Sequence, residues 1–383
     1  MAILFLSGMR GQRSLAQGTK NAGRTANRLR SIKGCGKLFL PGRRNDMILP
    51  VRLGDRSYDV IVSHGVLSRA GEMLNLNRKV LIVTDSGVPA VYAKTVADAS
   101  EKAKIVTVAP GEESKSFSCL QTVLAAMLEF GMTRADCVVA VGGGVCGDLA
   151  GFAASIFMRG VDFYNLPTTL LSQVDSSIGG KTAINFAGVK NPIGSFYQPK
   201  KVLIDPDVLS TLDERQFRSG LAEVVKMAAT NNAALFEKIE REPAEDWLDE
   251  LIYRALEIKR DIVEADEREA GLRKILNFGH TVGHAVEALS APDLFHGECV
   301  AIGMLAMCEG NCRKRLFDLL RKIGLPTECS IQPDRLLEVI EHDKKASADG
   351  IDCVLVEEIG KANVVCLSAE QIKRRILSVY GGM

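Results

Sequence analysis

Between Met47 and about residue 210 the chain repeats one pattern, a short run of β-branched and apolar residues followed by a stretch of helical composition. The runs are "YDVIVS", "KVLIVTD", "KIVTVAP", "CVVAVGGG", "DFYNLPTT" and "KVLIDPD", with "ILPVRL" directly after Met47. Strands that alternate with helices are joined by crossovers, which favours a parallel sheet covered on its faces. The pattern predicts an α/β domain over residues 47–210 with a largely parallel sheet.

From about residue 211 helix formers dominate. In "DERQFRSGLAEVVKMAATNN" the apolar positions Phe217, Leu221, Val224, Val225 and Ala228 follow the helical period. This predicts a mainly α-helical domain over 211–383, with "CVLVEEIGKANVVCL" as its one hairpin. No repeat or low-complexity linker separates the halves, so the active site is expected in the cleft between them.

Composition narrows the class. Hydrophobic residues make up 46% of the 383, charged residues 25%, and no apolar run approaches a membrane span. Ten scattered cysteines without a CxxC pair argue against a disulfide framework and for a reducing, cytoplasmic setting. The net charge of +1 hides an uneven chain. Residues 1–46 hold ten Lys or Arg against one acid, Asp46, leaving 38 basic and 46 acidic residues elsewhere. That leader has no sustained apolar period after Phe5 and Leu6 and reads as a disordered arm, a transit-like peptide or, as the favoured reading, a stretch upstream of a start at Met47. A single aromatic, Phe39, lies among its charges, so nucleic-acid binding by the leader is only the runner-up reading and no nucleic-acid partner is expected.

Three constellations carry chemistry. In "VVAVGGGVCGDLAGFAA" a strand runs into Gly142, Gly143, Gly144 and Gly147 and then a helix, which suits close approach to a phosphate. The arrangement is Rossmann-like, although GGGxxGD is not the GxGxxG fingerprint. In "LPTTLLSQVDSSIGGKTAINFAGVKNPIG" Ser, Asp and Thr cluster beside Lys181 and Lys190, with Arg159 just upstream, a set suited to an acidic small molecule. The third stretch runs from Arg273 through Asn277, His280 and His284 to Glu287, predicted as one polar stripe on an otherwise apolar helix facing a wet cleft. Glu223, Lys226 and Thr230 share a polar face of an earlier helix, and "FHGECVAIGM" adds His296 and Glu298. A catalytic zinc takes three protein ligands. Glu223 with two of His280, His284 and His296 fits, and spacing alone favours the His280–His284 pair.

Together with "PGEESKS", "FMRGVDF", "KNPIGSFYQP", "LAEVVK", "DEREAGLRKILNFGHTVGHAVEA" and "HGECVAIGM", these stretches resemble the 3-dehydroquinate synthase family of sugar-phosphate cyclases. The match runs in order from about residue 50 to the C-terminus. The resemblance implies that Glu223, His280 and His296 bind Zn2+ or Co2+, while His284 faces substrate. It implies NAD contacts from Asp85, Gly111, Glu112, Lys115, Gly143, Gly144, Gly147, Asp148, Thr168, Thr169, Lys181, Lys190, Leu209 and Thr211. Asp175, Lys181, Lys190, Asn191, Lys226, Lys259, Arg273, Asn277 and Lys345 would surround a sugar phosphate, with Arg159 reaching across a homodimer interface. The implied reaction turns 3-deoxy-D-arabino-heptulosonate 7-phosphate into 3-dehydroquinate and phosphate. The rival readings are another cyclase, such as 2-deoxy-scyllo-inosose synthase, and an NAD- and metal-dependent polyol dehydrogenase. "DSSIGGKT" and "KNPIG" with Arg273 for a carboxylate argue against the rival cyclase and for the heptulosonate substrate.

Overall fold

The computed structural model describes residues 46–343 and 350–381, so the leader up to residue 45 and Lys345 lie outside the described residues. Nine strands come from the first half: β1 (Met47–Val51), β2 (Tyr58–Val62), β3 (Lys79–Asp85), β4 (Lys102–Val108), β5 (Cys137–Gly142), β6 (Asp162–Pro167), β7 (Lys181–Phe186), β8 (Val189–Phe196) and β9 (Lys201–Ile204). Seven of them form one sheet in the order β1-β2-β9-β6-β5-β3-β4. Every pairing in it is parallel except β1 with β2.

Both faces of this sheet are covered, which is why its strands read as near-continuous apolar runs. The two-residue period sends neighbours to opposite cores. Val80 and Ile82 of β3 pack with α1 (Ala70–Met73) and α2 (Ala90–Asp98). Leu81 and Val83 pack with α3 (Phe117–Glu129) and α4 (Gly144–Ile156) on the other side. Connections leave β3 towards β4 and β5 towards β6, in opposite directions, so a crevice opens beyond the carboxyl ends of β3 and β5.

Helices then follow: α5 (Glu214–Asn231), α6 (Ala233–Arg241), α7 (Leu248–Ala265), α8 (His280–Ser290), α9 (His296–Ala306), α10 (Gly310–Lys322) and α11 (Pro333–Asp343). The predicted hairpin is β10 (Ile351–Glu358) with β11 (Lys361–Leu367), and α12 (Ala369–Tyr380) closes the described chain. Asp213 caps α5, accepting from the backbone N–H of Arg215 (2.9 Å) and Gln216 (3.3 Å). From Ser219 to Thr230 α5 is buried all round, so Glu223, Lys226 and Thr230 lie inside the protein. No described helix is long and apolar enough to cross a membrane, and the described cysteines are all free.

Two stretches differ from expectation. The helix predicted to carry one stripe from Arg273 to Glu287 is broken: Leu272–Asn277 is a 3-10 turn, and Gly279, with φ 78°, is left-handed before α8 begins at His280. A 3-10 stretch, at three residues per turn, followed by a left-handed residue resets the helical phase. Arg273 therefore points inward, where it donates to the carbonyls of Gly179 (3.1 Å) and Glu267 (2.6 Å). The other departure is the hairpin β7–β8 in a stretch that sequence marks only as a polar, glycine-containing cluster. Its loop is Ala187–Gly188, with φ values of 52° and 80°. Two positive φ values in a two-residue loop match the twist of the flanking strands.

Candidate active site

A cleft of about 1670 Å³ lies between the carboxyl ends of the strands and helices α8 and α9. Asp85 at the end of β3, Gly143 and Gly144 at the start of α4, and Thr168 and Thr169 after β6 line one wall. Gly111, Glu112, Lys115, Asp148, Asp175, Lys190, Asn191 and Thr211 extend it, and Asn277, His280, His284 and His296 line the helical side. Gly147 and Leu209 are buried in the fold rather than in the lining. A Cβ on Gly147 would meet Asn165 Nδ2 at 3.1 Å, so this glycine serves the packing of α4 on β6. Leu209 likewise packs in the turn Pro206–Thr211, while the neighbouring Thr211 reaches the cleft.

The wall near α4 is tied to the hairpin. Lys115 Nζ donates to Asp148 Oδ2 (2.6 Å) and to Asn191 Oδ1, and lies 3.5 Å from Glu112. Asn185 of β7 donates to Glu112 Oε1 (2.9 Å) and, through its backbone N–H, to the Lys115 carbonyl (2.7 Å). Burial opposes charge on Lys115, but Asp148 and Glu112 outweigh it and raise its pKa. Asn191 and Glu269 hold positive φ (both 59°), a conformation non-glycine residues adopt at a cost of about 1–3 kcal/mol.

Beneath the cleft lie the buried cations Lys226 and Lys259, with Arg273 beside them. Lys259 pairs with Asp175, which sits on the π-helical turn Ser172–Ser176. Burial, helped by Arg273 and Lys226, lowers the Lys259 pKa to about 8 even though Asp175 opposes the shift. Lys181 pairs with Glu269, whose other oxygen accepts from Asn277 Nδ2 (2.9 Å). Lys190 Nζ lies 2.6 Å from Glu287 Oε1. Lys181, Lys190 and Lys259 thus already have internal carboxylate partners, which any anionic ligand must compete with.

Three helices bring the histidines and an acid to one point. A Cβ at Gly303 of α9 would meet the Gly279 carbonyl oxygen at 1.9 Å, and one at Gly297 would meet that of Ser219 at 2.0 Å. Only glycine lets α9 come this close to α8 and α5. As a result His280 Nε2 and His296 Nε2 lie 3.8 Å and 3.5 Å from Glu223 Oε1. The ligand atoms of these three residues lie within 4.8 Å of one another. Glu223 is fully buried, and its Oε1 has no hydrogen-bond partner, an orphan that a cation would satisfy. Burial would raise its pKa, but Lys226, His296 and His280 hold it well below the usual value, so it is anionic. Burial and Lys226 keep His280 neutral. Two nitrogens and a carboxylate oxygen suit zinc or cobalt.

His284 is exposed to the cleft, its ring centroid 5.1 Å from that of His280. A second grouping, His284, Glu287 and His296, also falls within 4.8 Å and shares His296. Glu298, the other acid of "FHGEC", pairs instead with Arg215 (2.6 Å). Arg159 is exposed and outside the lining of the cleft. Sequence reasoning missed Glu269 altogether and left Glu287 without a role. Their signal, an acid at a set distance from a cation, exists only after folding. Tyr92, Asp213 and Gln216 also line the cleft unannounced.

Known proteins resemble this chain in both sequence and fold. Residues 105–219 match the family model of the N-terminal part of 3-dehydroquinate synthase, and residues 220–346 that of its C-terminal part. The 3-dehydroquinate synthase of Pelobacter propionicus is 41% identical over 349 residues, covering 85% of this chain and 97% of that protein. That of Enterococcus faecalis is 41% identical over 359 residues, covering 88% and 100%. Among solved structures, 2-deoxy-scyllo-inosose synthase complexed with carbaglucose-6-phosphate, NAD+ and Co2+ has a TM-score of 0.80 at 25% identity, covering 87% of this chain and all of that one. The 2-epi-5-epi-valiolone synthase of Streptomyces hygroscopicus with NAD+ and Zn2+ bound has 0.77 at 29%, covering 86% and 98%. A crevice at the strand ends, buried cations and a Glu–His–His cluster thus accompany sequence matches in both halves, and the chain belongs to the 3-dehydroquinate synthase family.

Proposed function

We propose that the chain converts 3-deoxy-D-arabino-heptulosonate 7-phosphate to 3-dehydroquinate and phosphate, as an NAD- and divalent-metal-dependent lyase. The observation that carries this reading is the convergence of Glu223, His280 and His296 beside buried cations, across one cleft from the glycine turn that opens α4. Glu223, His280 and His296 would hold the metal, and Asp85, Gly143, Gly144, Asp148, Thr168 and Thr169 would line the dinucleotide. When bound, the cation supplies Lewis acidity to a substrate hydroxyl and the dinucleotide a transient acceptor for hydride.

The chain's own residues bind and orient the substrate. Lys181 and Asn277 both hold the Glu269 carboxylate, so a substrate anion that reaches them takes the place of that internal acceptor. Lys190 and Asn191 approach from the hairpin and are suited to a phosphate. Lys226, paired with Glu223, Lys259, paired with Asp175, and Arg273, held on backbone carbonyls, put three buried cations at the floor of the site. His284, exposed in the cleft beside the metal residues, would face the substrate and exchange a proton with it. The neighbours with 2-deoxy-scyllo-inosose and 2-epi-5-epi-valiolone synthase activity support a cyclase with the same cofactors, while the relatives of about 40% identity favour the heptulosonate substrate.

A homodimer is part of this reading. Arg159, Ile156 and Met158 are exposed together at the end of α4, and a second copy would cover them and receive Arg159 in its own site. A cytoplasmic location accords with the free thiols. The test is to incubate the purified protein with the heptulosonate phosphate, NAD and Zn2+, following phosphate and dehydroquinate. Stoichiometric release without net NADH is expected. No phosphate release sinks the proposal, and steady NADH with a simple alcohol would mark a dehydrogenase.

A further inference from the structure

Glu287 is a buried acid on α8 for which the reaction above has no use. It lies three residues after His284 and seven after His280, on the same helix face, and is 8% exposed. A carboxylate this deep has to be paired, and each of its oxygens is: Oε1 with Lys190 Nζ at 2.6 Å, and Oε2 with His296 Nδ1 at 3.3 Å.

The second contact bears on the cation cluster. His296 is the first residue of α9 and its side chain is a third exposed, so helix packing alone fixes its ring loosely. Its two nitrogens face different carboxylates, Nε2 towards Glu223 and Nδ1 towards Glu287. An acceptor at Nδ1 holds a ring proton on that nitrogen, so Nε2, the nitrogen that faces Glu223, is the one that would give its lone pair to a cation. For His280 the same task falls to the backbone, with the Phe278 carbonyl oxygen 3.1 Å from its Nδ1. Both imidazoles then present Nε2 to one point. Outer partners of this kind orient a ligating histidine and raise its basicity.

We propose that Glu287 is a positioning residue which fixes the ring orientation and tautomer of His296, so that Nε2 of that histidine is presented for metal binding. The inference rests on the reading that Glu223, His280 and His296 hold a divalent cation. A purely structural Glu287, which only anchors Lys190 and the hairpin, would leave the affinity for metal unchanged.

The experiment strips the full-length protein of metal and measures Co2+ and Zn2+ affinity by chelator competition, with the visible absorption of bound Co2+ as a second readout. Glu287→Gln keeps an acceptor for the Nδ1 proton and loses the charge; Glu287→Ala loses both. Expected losses in affinity are about tenfold and about 100-fold respectively, with altered Co2+ bands. Lys190→Ala, which removes the other partner, is expected to leave affinity within about twofold, the experimental margin against that range. Both Glu287 variants binding like the parent would overturn the proposal, as would a Lys190→Ala loss equal to that of Glu287→Gln. Thermal unfolding of the metal-free proteins accompanies each titration. Should Glu287→Ala not fold, Glu287→Gln decides. A parent chain that binds neither ion refutes the metal reading itself, an outcome distinct from a parent that binds and variants that bind equally.

Discussion

His280 and His284 stand one helical turn apart and look equivalent in sequence, yet their surroundings differ in every respect that matters for ligation. His280 is largely buried, neutral, and oriented by a backbone carbonyl towards Glu223, whereas His284 is exposed on the cleft side of the same helix. His280→Ala is therefore expected to abolish stoichiometric metal, read by elemental analysis, while His284→Ala retains metal and loses turnover by about 10²- to 10⁴-fold, the usual range for a proton-transferring group. Loss of metal from both variants would refute this division. At this scale the sequence identified residue types well and partners poorly. "LAEVVK" and "HGECVAIGM" advertise an acid and a histidine, but nothing in their spacing says that Glu223 and His296 meet across 73 positions, while Glu298 turns away to Arg215. Arg273 shows the same limit, because its direction depended on a change of helix type that periodicity does not register.

At the scale of elements, the site exists because α5, α8 and α9 pack more closely than ordinary side chains permit. Gly303 faces the Gly279 carbonyl oxygen and the Gly283 nitrogen, with 1.9 Å and 2.7 Å available to a Cβ. Neither obstacle is the flexible end of a side chain, so the backbones must part. Gly303→Ala is expected to destabilise the protein by about 1–3 kcal/mol, as overpacking does, and to weaken metal binding by moving His280 away from Glu223. Chemical denaturation and metal titration check both effects. A variant with the parental midpoint would show that the crossing has slack. Strands were the most legible elements, since burial on both faces writes an unbroken apolar run. The hairpin β7–β8 was not, because its outer strand is largely exposed and its residues are the polar ones that also mark a loop. The two-residue Ala187–Gly188 turn was its available signal.

Across the whole molecule, sheet and helices are also joined away from the cleft. His64, in the loop after β2, places Nδ1 2.7 Å from Asp207 and Nε2 2.8 Å from Asp249 at the start of α7. Asp205 lies nearby, accepting from the backbone of Gly65 and Leu67. Burial disfavours charge on His64, but the two carboxylates outweigh it and raise its pKa above 6.5. Because the folded value is the higher, the charged clamp stabilises fully below about pH 6.5 and is lost as pH rises through the folded value. The stability difference between the parent and His64→Gln, from urea denaturation, should therefore be largest near pH 6 and shrink towards pH 9. A difference independent of pH would dismiss the clamp. What the sequence by itself determined is the α/β alternation, the helical second half, the phosphate-type glycine turn and the inventory of cations and metal-type residues, because period and residue chemistry are local. Only the tertiary structure decided which of those residues share a site, which are buried, and which acid faces which base. Those depend on helix crossings and chain reversals between residues far apart in sequence, and their free energies appear only when the surfaces meet.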